Sequence, residues 1–388
     1  MKRDYEYVVL GLGGFGSAAA YWLARRAGSE VLGLEQFELG HVRGESQDHS
    51  RIIRLSYHTR GYVELAKHAY TAWAEVERDA GERLILRTGG LDFAPRVSAI
   101  PLSNYSDSMD AAGVPYEKLD SREIMRRWPP FRLSDDIHGL YQAESGIAMA
   151  ARANAAHQRL ARAHGATLRA GVEVVVIAMD RGEIILEIEG QRCRCRRLVI
   201  TAGAWSNRAL GPFRCRLPLT VTQEQVTYFA ASRLEDFGPD RFPIWIWMDD
   251  PCFYGFPVFG EPAVKAGQDA GGQEVTAETR TFEPDLPALQ RVQSFLAAHL
   301  PDALGPILYT KTCLYTLTPD RDFVIDFVPG CPEAVVAIGG GHGFKFSSLI
   351  GRILADLAGD GVTQHNLEPF QIDRDILQLE NPPRHYMV

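Results

Sequence analysis

Apolar positions fall into short runs along this chain, and glycine or charge closes each run. Tyr7-Val8-Val9-Leu10 is the first, and it opens into Gly11-Leu12-Gly13-Gly14-Phe15-Gly16. Residues 17–26 then carry a helical pattern, and a second short run, 31–34, ends on Glu35. That order predicts a strand–helix–strand unit. Further along, 149–165 predicts an Ala-rich helix, followed by strands at 172–177, 184–188 and 198–200. The last runs into Thr201-Ala202-Gly203-Ala204-Trp205. Near the end, a short buried strand at 335–338 enters Gly339-Gly340-Gly341-His342-Gly343-Phe344-Lys345, with a helix expected over 347–358. Between these segments the pattern changes. Gly89 to Phe93 reads as strand, 107–113 as helix and Arg127-Trp128-Pro129-Pro130 as a turn. Residues 217–312 alternate apolar and aromatic positions, as in Ile244-Trp245-Ile246-Trp247, which predicts a large antiparallel sheet.

Strand–helix text therefore occurs at the start, middle and end, with β-rich text inserted twice. The fold class expected is α/β, α+β overall. A Rossmann-like nucleotide domain would come from 1–85, 149–216 and 313–388. A substrate domain with a large, mostly antiparallel sheet would come from 86–148 and 217–312. Ligands of such sheets sit at the carboxyl ends of the strands. The turns after Leu10, Ile200 and Ile338 are thus expected around one site.

The chain has 388 residues, 46% hydrophobic and 23% charged, as in a globular protein with room for two cores. No apolar stretch reaches the length of a membrane span, and the first apolar run reads as a strand rather than a signal peptide. The end, 384–388, carries no peroxisomal-type address. A net charge of −8 argues against nucleic acid as a partner. Of six cysteines, Cys193 and Cys195 are spaced wrongly for a redox or zinc pair and alternate with arginines as on a strand. No metal site is expected, and reduced thiols suit a cytoplasmic chain.

The glycine loop carries the first chemistry. Gly11 permits a tight turn, Gly13 lets backbone approach a pyrophosphate, and Gly16 lets the helix pack on the strand. The helix N-terminus offers N–H groups to phosphate, and Glu35 is placed to accept ribose hydroxyls. NAD, NADP and FAD all remain open on this motif.

Several later segments narrow the choice. Ser50-Arg51-Ile52-Ile53-Arg54, Thr201 to Trp205, Tyr254-Gly255-Phe256-Pro257, Lys265, Cys313-Leu314-Tyr315-Thr316 and Gly341 to Ser348 occur in this order. In these the chain resembles the monomeric sarcosine oxidase family, which includes N-methyltryptophan and pipecolate oxidases, over essentially its whole length. The resemblance implies an FAD-dependent oxidase that converts a secondary amine to an imine, hydrolysed by water, and reduces oxygen to hydrogen peroxide. It implies a monomer whose partners are a small amino-acid substrate and O2.

It also implies roles. Cys313 would hold FAD through a thioether to the flavin 8α-methyl carbon. Arg54 and Lys345 would bind the substrate carboxylate, a guanidinium plus an ammonium suiting that group. Lys265 would stabilise reduced oxygen, with Arg51 at the flavin ring beside Ser50. Tyr315, two residues beyond Cys313, would share its strand face and wall the substrate pocket, and Gly341 would also contact the substrate. Cofactor contacts would involve Gly11, Gly13, Gly14, Phe15, Gly16, Glu35 and Gln36, then Val172, Ala202, Gly203 and Trp205, and finally Gly340, Gly341, Gly343, Phe344 and Lys345. His342 is given no role as a base. Gln47 and Asp269 stand where the family often has histidine, which puts sarcosine itself in doubt as the preferred amine. Trp245, Ile246 and Trp247 are expected either to select a larger amine or to belong to the core. The alternatives are a dehydrogenase or primary amino-acid oxidase with non-covalent flavin, a flavin-binding protein without catalysis, and, least favoured, a nicotinamide-dependent enzyme.

Overall fold

A computed structural model describes residues 4–180 and 182–384. Residues 385–388 of the C-terminal address reading lie outside the described residues. Five parallel strands form the core of one sheet, in the order Thr167–Arg169, Val31–Leu34, Asp4–Leu10, Gln191–Ile200 and Cys331–Ile338. Short apolar strands buried on both faces are what such a sheet requires, and every residue of Val31–Leu34 is buried. Helix Gly14–Ala27 packs on this sheet between helices Ala150–Ala163 and Ser347–Asp360. The Trp22 indole N–H donates to the Ser348 carbonyl at 2.8 Å and fixes the first helix to the last. Strands Val174–Asp180 and Glu183–Ile188 extend the sheet antiparallel to the early half of 191–200, where Cys193 and Cys195 are buried.

The second sheet has nine strands, drawn from 90–142 and 220–317. It is antiparallel except where Ile244–Trp247 lies parallel to Gly90–Pro95, two segments far apart in sequence. Helix Leu286–His299 covers one face, inside the region expected to form a large antiparallel sheet. Phe295 of that helix stacks on Trp245 and Phe253 and packs edge-on against Trp247. Strand alternation turns Ile246 the other way. Strand Ile307–Leu317 pairs with Thr220–Phe229 and runs unbroken across 312/313.

Helices Arg60–Ala80 and Ser121–Arg127 also escaped the sequence reading. Arg60–Ala80 starts where Thr59 accepts the Tyr62 N–H and ends at Gly81 in the left-handed conformation. Ser121–Arg127 is capped by Asp120. The helix expected at 107–113 is Leu102–Ala111. It begins after Pro101 and stops before Gly113, whose φ is 65°.

Candidate active site

The turns after Leu10, Ile200 and Ile338 do meet, around one cavity of about 700 Å3 that Thr201, Gly339 and Gly341 help to line. Backbone builds its nucleotide-like end. A Cβ on Gly11, at φ 91°, would stand 2.6 Å from the Thr201 carbonyl oxygen. A Cβ on Gly16 would stand 1.8 Å from the Gly11 carbonyl oxygen, so that position tolerates hydrogen alone. Gly16 accordingly lies behind the cavity wall, while Gly11, Gly13, Gly14, Phe15, Glu35 and Gln36 line it. No side chain caps Gly13, and the Gly14 N–H donates to the Ser46 hydroxyl at 2.8 Å. Burial works against ionisation of Glu35, yet His41 and the Leu12 N–H hold its carboxyl below the usual range. Val172, Ala202, Gly203 and Trp205 complete this end.

Side chains build the other end. Arg54, Lys345, Tyr254, Tyr315, Asp269 and Arg321 face one another across the cavity. Arg54 is buried, with Nη1 3.3 Å from Asp92 Oδ1, and it lies over the Tyr57 and Tyr105 rings. Burial pushes Asp92 up, against the pull of Arg54. The Trp73 indole N–H donates to the Lys345 carbonyl at 2.7 Å, so helix Arg60–Ala80 sets the lysine in place. Burial and the nearby Arg54 push Lys345 down to about 7. The buried Arg321 holds Asp269 at 2.6 Å and donates to the Gly340 carbonyl at 3.2 Å. Gly340 thus sits behind the wall, while Gly341, Gly343 and Phe344 line it. Burial and Arg321 hold His342 neutral, well below its usual pKa, and its ring stacks on Phe323.

Lys265 is 3% exposed and lies behind Phe256, its Nζ 4.5 Å from the ring centroid. It contacts Asp48 Oδ2 at 2.7 Å and donates to the Ser50 carbonyl at 2.9 Å. Burial pushes it down to about 8, against the pull of Asp48. Burial also acts to raise Asp48, but Lys265 and Arg51 hold that carboxyl far below its usual value. Arg51 lines the cavity and donates to the Glu45 and Ser50 carbonyls. Ser50 is buried and touches Lys265 rather than the cavity. On strand 307–317, Lys311 and Tyr315 line the cavity. Alternation puts Cys313 on that same face between them. Burial pushes its thiol up to about 12, with Arg51 opposing.

The structure therefore gathers Arg51, Arg54, Lys345, Tyr315 and Gly341 on one wall system and sets Lys265 just behind it. Of the tryptophan run, only Ile246 reaches the cavity; Trp245 and Trp247 belong to the core. Three acids escaped the sequence reading as partners. Asp48 holds Lys265, Asp92 holds Arg54, and Asp269, noted only as a departure, is held by Arg321. The one local signal for Asp48 was its place two residues before the Ser50-Arg51 segment.

Residues 6–357 match the model of the FAD dependent oxidoreductase family. The chain belongs to that family. This FAD dependent oxidoreductase is 34% identical to the monomeric sarcosine oxidase of Streptomyces avermitilis over 383 residues, covering 95% of this chain and 97% of that protein. It is 30% identical to the N-methyl-L-tryptophan oxidase of Escherichia coli O9:H4 over 377 residues, covering 95% of this chain and 99% of that protein. Among solved structures it is similar to NikD, an unusual amino acid oxidase essential for nikkomycin biosynthesis. The TM-score is 0.85 at 29% identity, covering 95% of this chain and 98% of that one.

The residues of the oxidoreductase fit FAD. At Gly11 and Gly16 any Cβ would collide with backbone, so the turn requires glycine; the start of helix Gly14–Ala27 borders the cavity, and the buried Glu35 presents an ionised carboxyl there. Among the described residues no group of His, Cys, Asp or Glu could hold a metal, and no helix is long and apolar enough to cross a membrane.

Proposed function

We propose that this enzyme oxidises the secondary amine of an N-methyl or cyclic amino acid to an imine and passes the electrons to O2. It would work as a monomer, in a cytoplasmic setting that suits its six free thiols. The observation that carries the reading is the pairing of Lys345, whose ammonium has no carboxylate partner among the described residues, with Arg54 in the cavity that also holds the glycine cradle, both lying over the Tyr57 ring. A guanidinium and an ammonium converging there recognise a carboxylate. Tyr254 and Tyr315 wall the space beside it. Burial holds both phenols above their ordinary pKa, so they act as neutral donors.

Bound FAD supplies a two-electron acceptor for the amine carbon and a donor to oxygen. The chain supplies everything else. Arg54 and Lys345 fix the carboxylate, which orients the amine; Tyr254 and Tyr315 exclude water. Lys265 holds positive charge where oxygen gains electrons, and the half-buried Arg51 adds a second cation near it. Cys313, between Lys311 and Tyr315 on the cavity face, would carry the cofactor through a thioether. The nucleotide end, the amine end and the oxygen end are assigned to the residues the sequence reading named for them, with Ser50 and Gly340 acting through Lys265 and Arg321.

Hydrogen peroxide measured over a panel tests the reading. Sarcosine, other N-methyl amino acids, proline, pipecolate and primary amino acids are each supplied with oxygen. Stoichiometric peroxide with a secondary amine is expected. Peroxide from primary amines alone, or amine oxidation only with an artificial acceptor, would favour the primary amino-acid oxidase or the dehydrogenase. Acid precipitation tests the thioether: flavin should stay with the wild-type chain and leave the Cys313→Ser chain.

A further inference from the structure

Asp269 and Arg321 form an ion pair at the amine end of the cavity, closed at both carboxyl oxygens. Nη1 donates to Oδ2 at 2.6 Å and Nη2 to Oδ1 at 3.3 Å. The two partners differ in their access to the cavity: the Arg321 side chain is 1% exposed and that of Asp269 21%. The cation is the buried anchor, and the carboxyl is the group on display. Asp92, which holds Arg54, is 4% exposed and stands behind its arginine. Unusual backbone holds both members of the displayed pair. Arg321 has φ 60°, and Ala270, next to Asp269, has φ 50°. Left-handed residues other than glycine are strained and persist only where their surroundings fix them. Arg321 donates to the Gly340 carbonyl, and His342 Nε2 lies 3.0 Å from the Arg321 carbonyl. On the other side, the Asp269 N–H donates to the Cys252 carbonyl, and Arg291 donates to the Gln268 side chain and the Gly271 carbonyl. The acid is thus fixed in the wall.

A purely structural pair has no need of an open face, yet this one turns its acid to the space where Arg54 and Lys345 converge. Burial dominates the ionisation of Lys345, Tyr254 and Tyr315, but the charge of Asp269 is felt at all three. The acid therefore lies within Coulombic reach of the carboxylate-binding ammonium and of the phenol wall. An α-amino acid carries a carboxylate and, one carbon away, an amine that is a cation at neutral pH. Two cations and a displayed carboxyl around one space match both of those charges. We propose that Asp269, anchored by Arg321, binds the cationic amine of the substrate while Arg54 and Lys345 bind its carboxylate. The proposal rests on the carboxylate reading of Arg54 and Lys345 and names the substrate class as a zwitterion. Arg321 engages each carboxyl oxygen from behind, and the remaining lone pairs accept amine N–H groups. Asp269 is thereby a specificity determinant: a carboxylate with no amine, or with an acylated one, loses this contact. The contact governs binding and leaves the bond-breaking step to the other groups. The resemblance puts histidine at this position, which cannot supply a negative charge, so the contact belongs to this chain's own sequence.

Matched ligands that differ by one charge test this without turnover. Betaine and 3,3-dimethylbutanoate share one shape, as do glycine and propanoate; in each pair a cationic nitrogen stands in place of a carbon. Affinities are measured by calorimetry on the flavin-bearing protein, kept free of oxygen. Wild type should prefer the ammonium member of at least one pair by at least about tenfold, the value of a contact between charged groups. In Asp269→Asn the preference should fall to within about twofold, while the carbon member binds as well as before or better. Asp269→His is the second variant, should the first fail to retain flavin. Measured above the titration range of a free histidine, it should lose the preference in the same way. No preference in wild type for either pair overturns the proposal, and so does a preference that survives the substitutions. The carbon members read the carboxylate site by itself. If they bind Arg54→Ala as tightly as wild type, the reading of Arg54 and Lys345 falls. If they bind through Arg54 and no ammonium preference appears, that reading stands and Asp269 alone loses its role.

Discussion

The two ends of the cavity are built from different materials. Around Gly11, Gly13 and Gly14 the wall is backbone, and its demands are local: a turn, a close approach, a helix start. Around Arg54, Arg321 and Lys265 the wall is side chains, and each of these cations answers to an acid brought in from another element. Backbone sites of the first kind write themselves into consecutive residues. Charge-paired sites of the second kind do not, because burying a charge is tolerable only with a partner that the fold supplies. The cradle should therefore fail by loss of space, and the charged end by loss of balance.

The largest effect is expected at the cradle. Gly16→Val forces a carbon to within 1.8 Å of the Gly11 carbonyl oxygen. A cost of at least about 3 kcal/mol should leave little folded, flavin-bearing protein. The flavin-to-protein absorbance ratio checks this, and a normal ratio would show that the turn yields. At the charged end, Lys265→Met should slow the oxygen-dependent step about 10² to 10³-fold while flavin reduction by amine changes little. Stopped-flow traces of the two half-reactions separate these, and equal slowing would remove Lys265 from the oxygen site. Arg54→Ala should weaken a carboxylate inhibitor about 10 to 100-fold, the value of a hydrogen bond to a charged group. Titration of the flavin spectrum reads the affinity, and unchanged affinity would remove Arg54 from the site.

The smallest effect is a pH dependence. Lys345 is pushed down to about 7 by burial and Arg54, so it carries charge below that pH and loses it above. Affinity for a carboxylate that has no amine should therefore fall as pH rises through about 7. In Lys345→Met that slope should flatten, the variant binding weakly at both ends of the range. A slope that persists in the variant would assign the titration to another group.

The same contrast governs what the sequence could tell. The strands ending at Leu10, Ile200 and Ile338 were readable because each runs straight into its own glycine turn. The cations were readable by type and by resemblance. Their partners were not: nothing near Arg54 points to Asp92, which arrives on a strand of the other sheet, and nothing near Asp269 points to Arg321. The two tryptophans show the reverse ambiguity. For Trp245 and Trp247 pocket wall and core both stayed open, because no local signal announced helix Leu286–His299, whose Phe295 claims them for the core. Helix Arg60–Ala80 escaped for a similar reason, since its caps, Thr59 and Gly81, are single residues in ordinary surroundings.

Strand 307–317 carries a further consequence. It pairs with 220–229 on one side only, so its outer backbone is a sheet edge of the kind that recruits other chains. The segment that borders the cavity closes that edge. Gln47 donates to the Thr312 carbonyl at 2.7 Å, Arg280 donates to the same carbonyl at 3.3 Å, and the Leu314 N–H faces the Gly44 carbonyl. The residues that shape the site thus also guard against aggregation. A substitution that loosens 44–47 would bare an unpaired strand, and its first symptom would be sticky protein rather than slow enzyme.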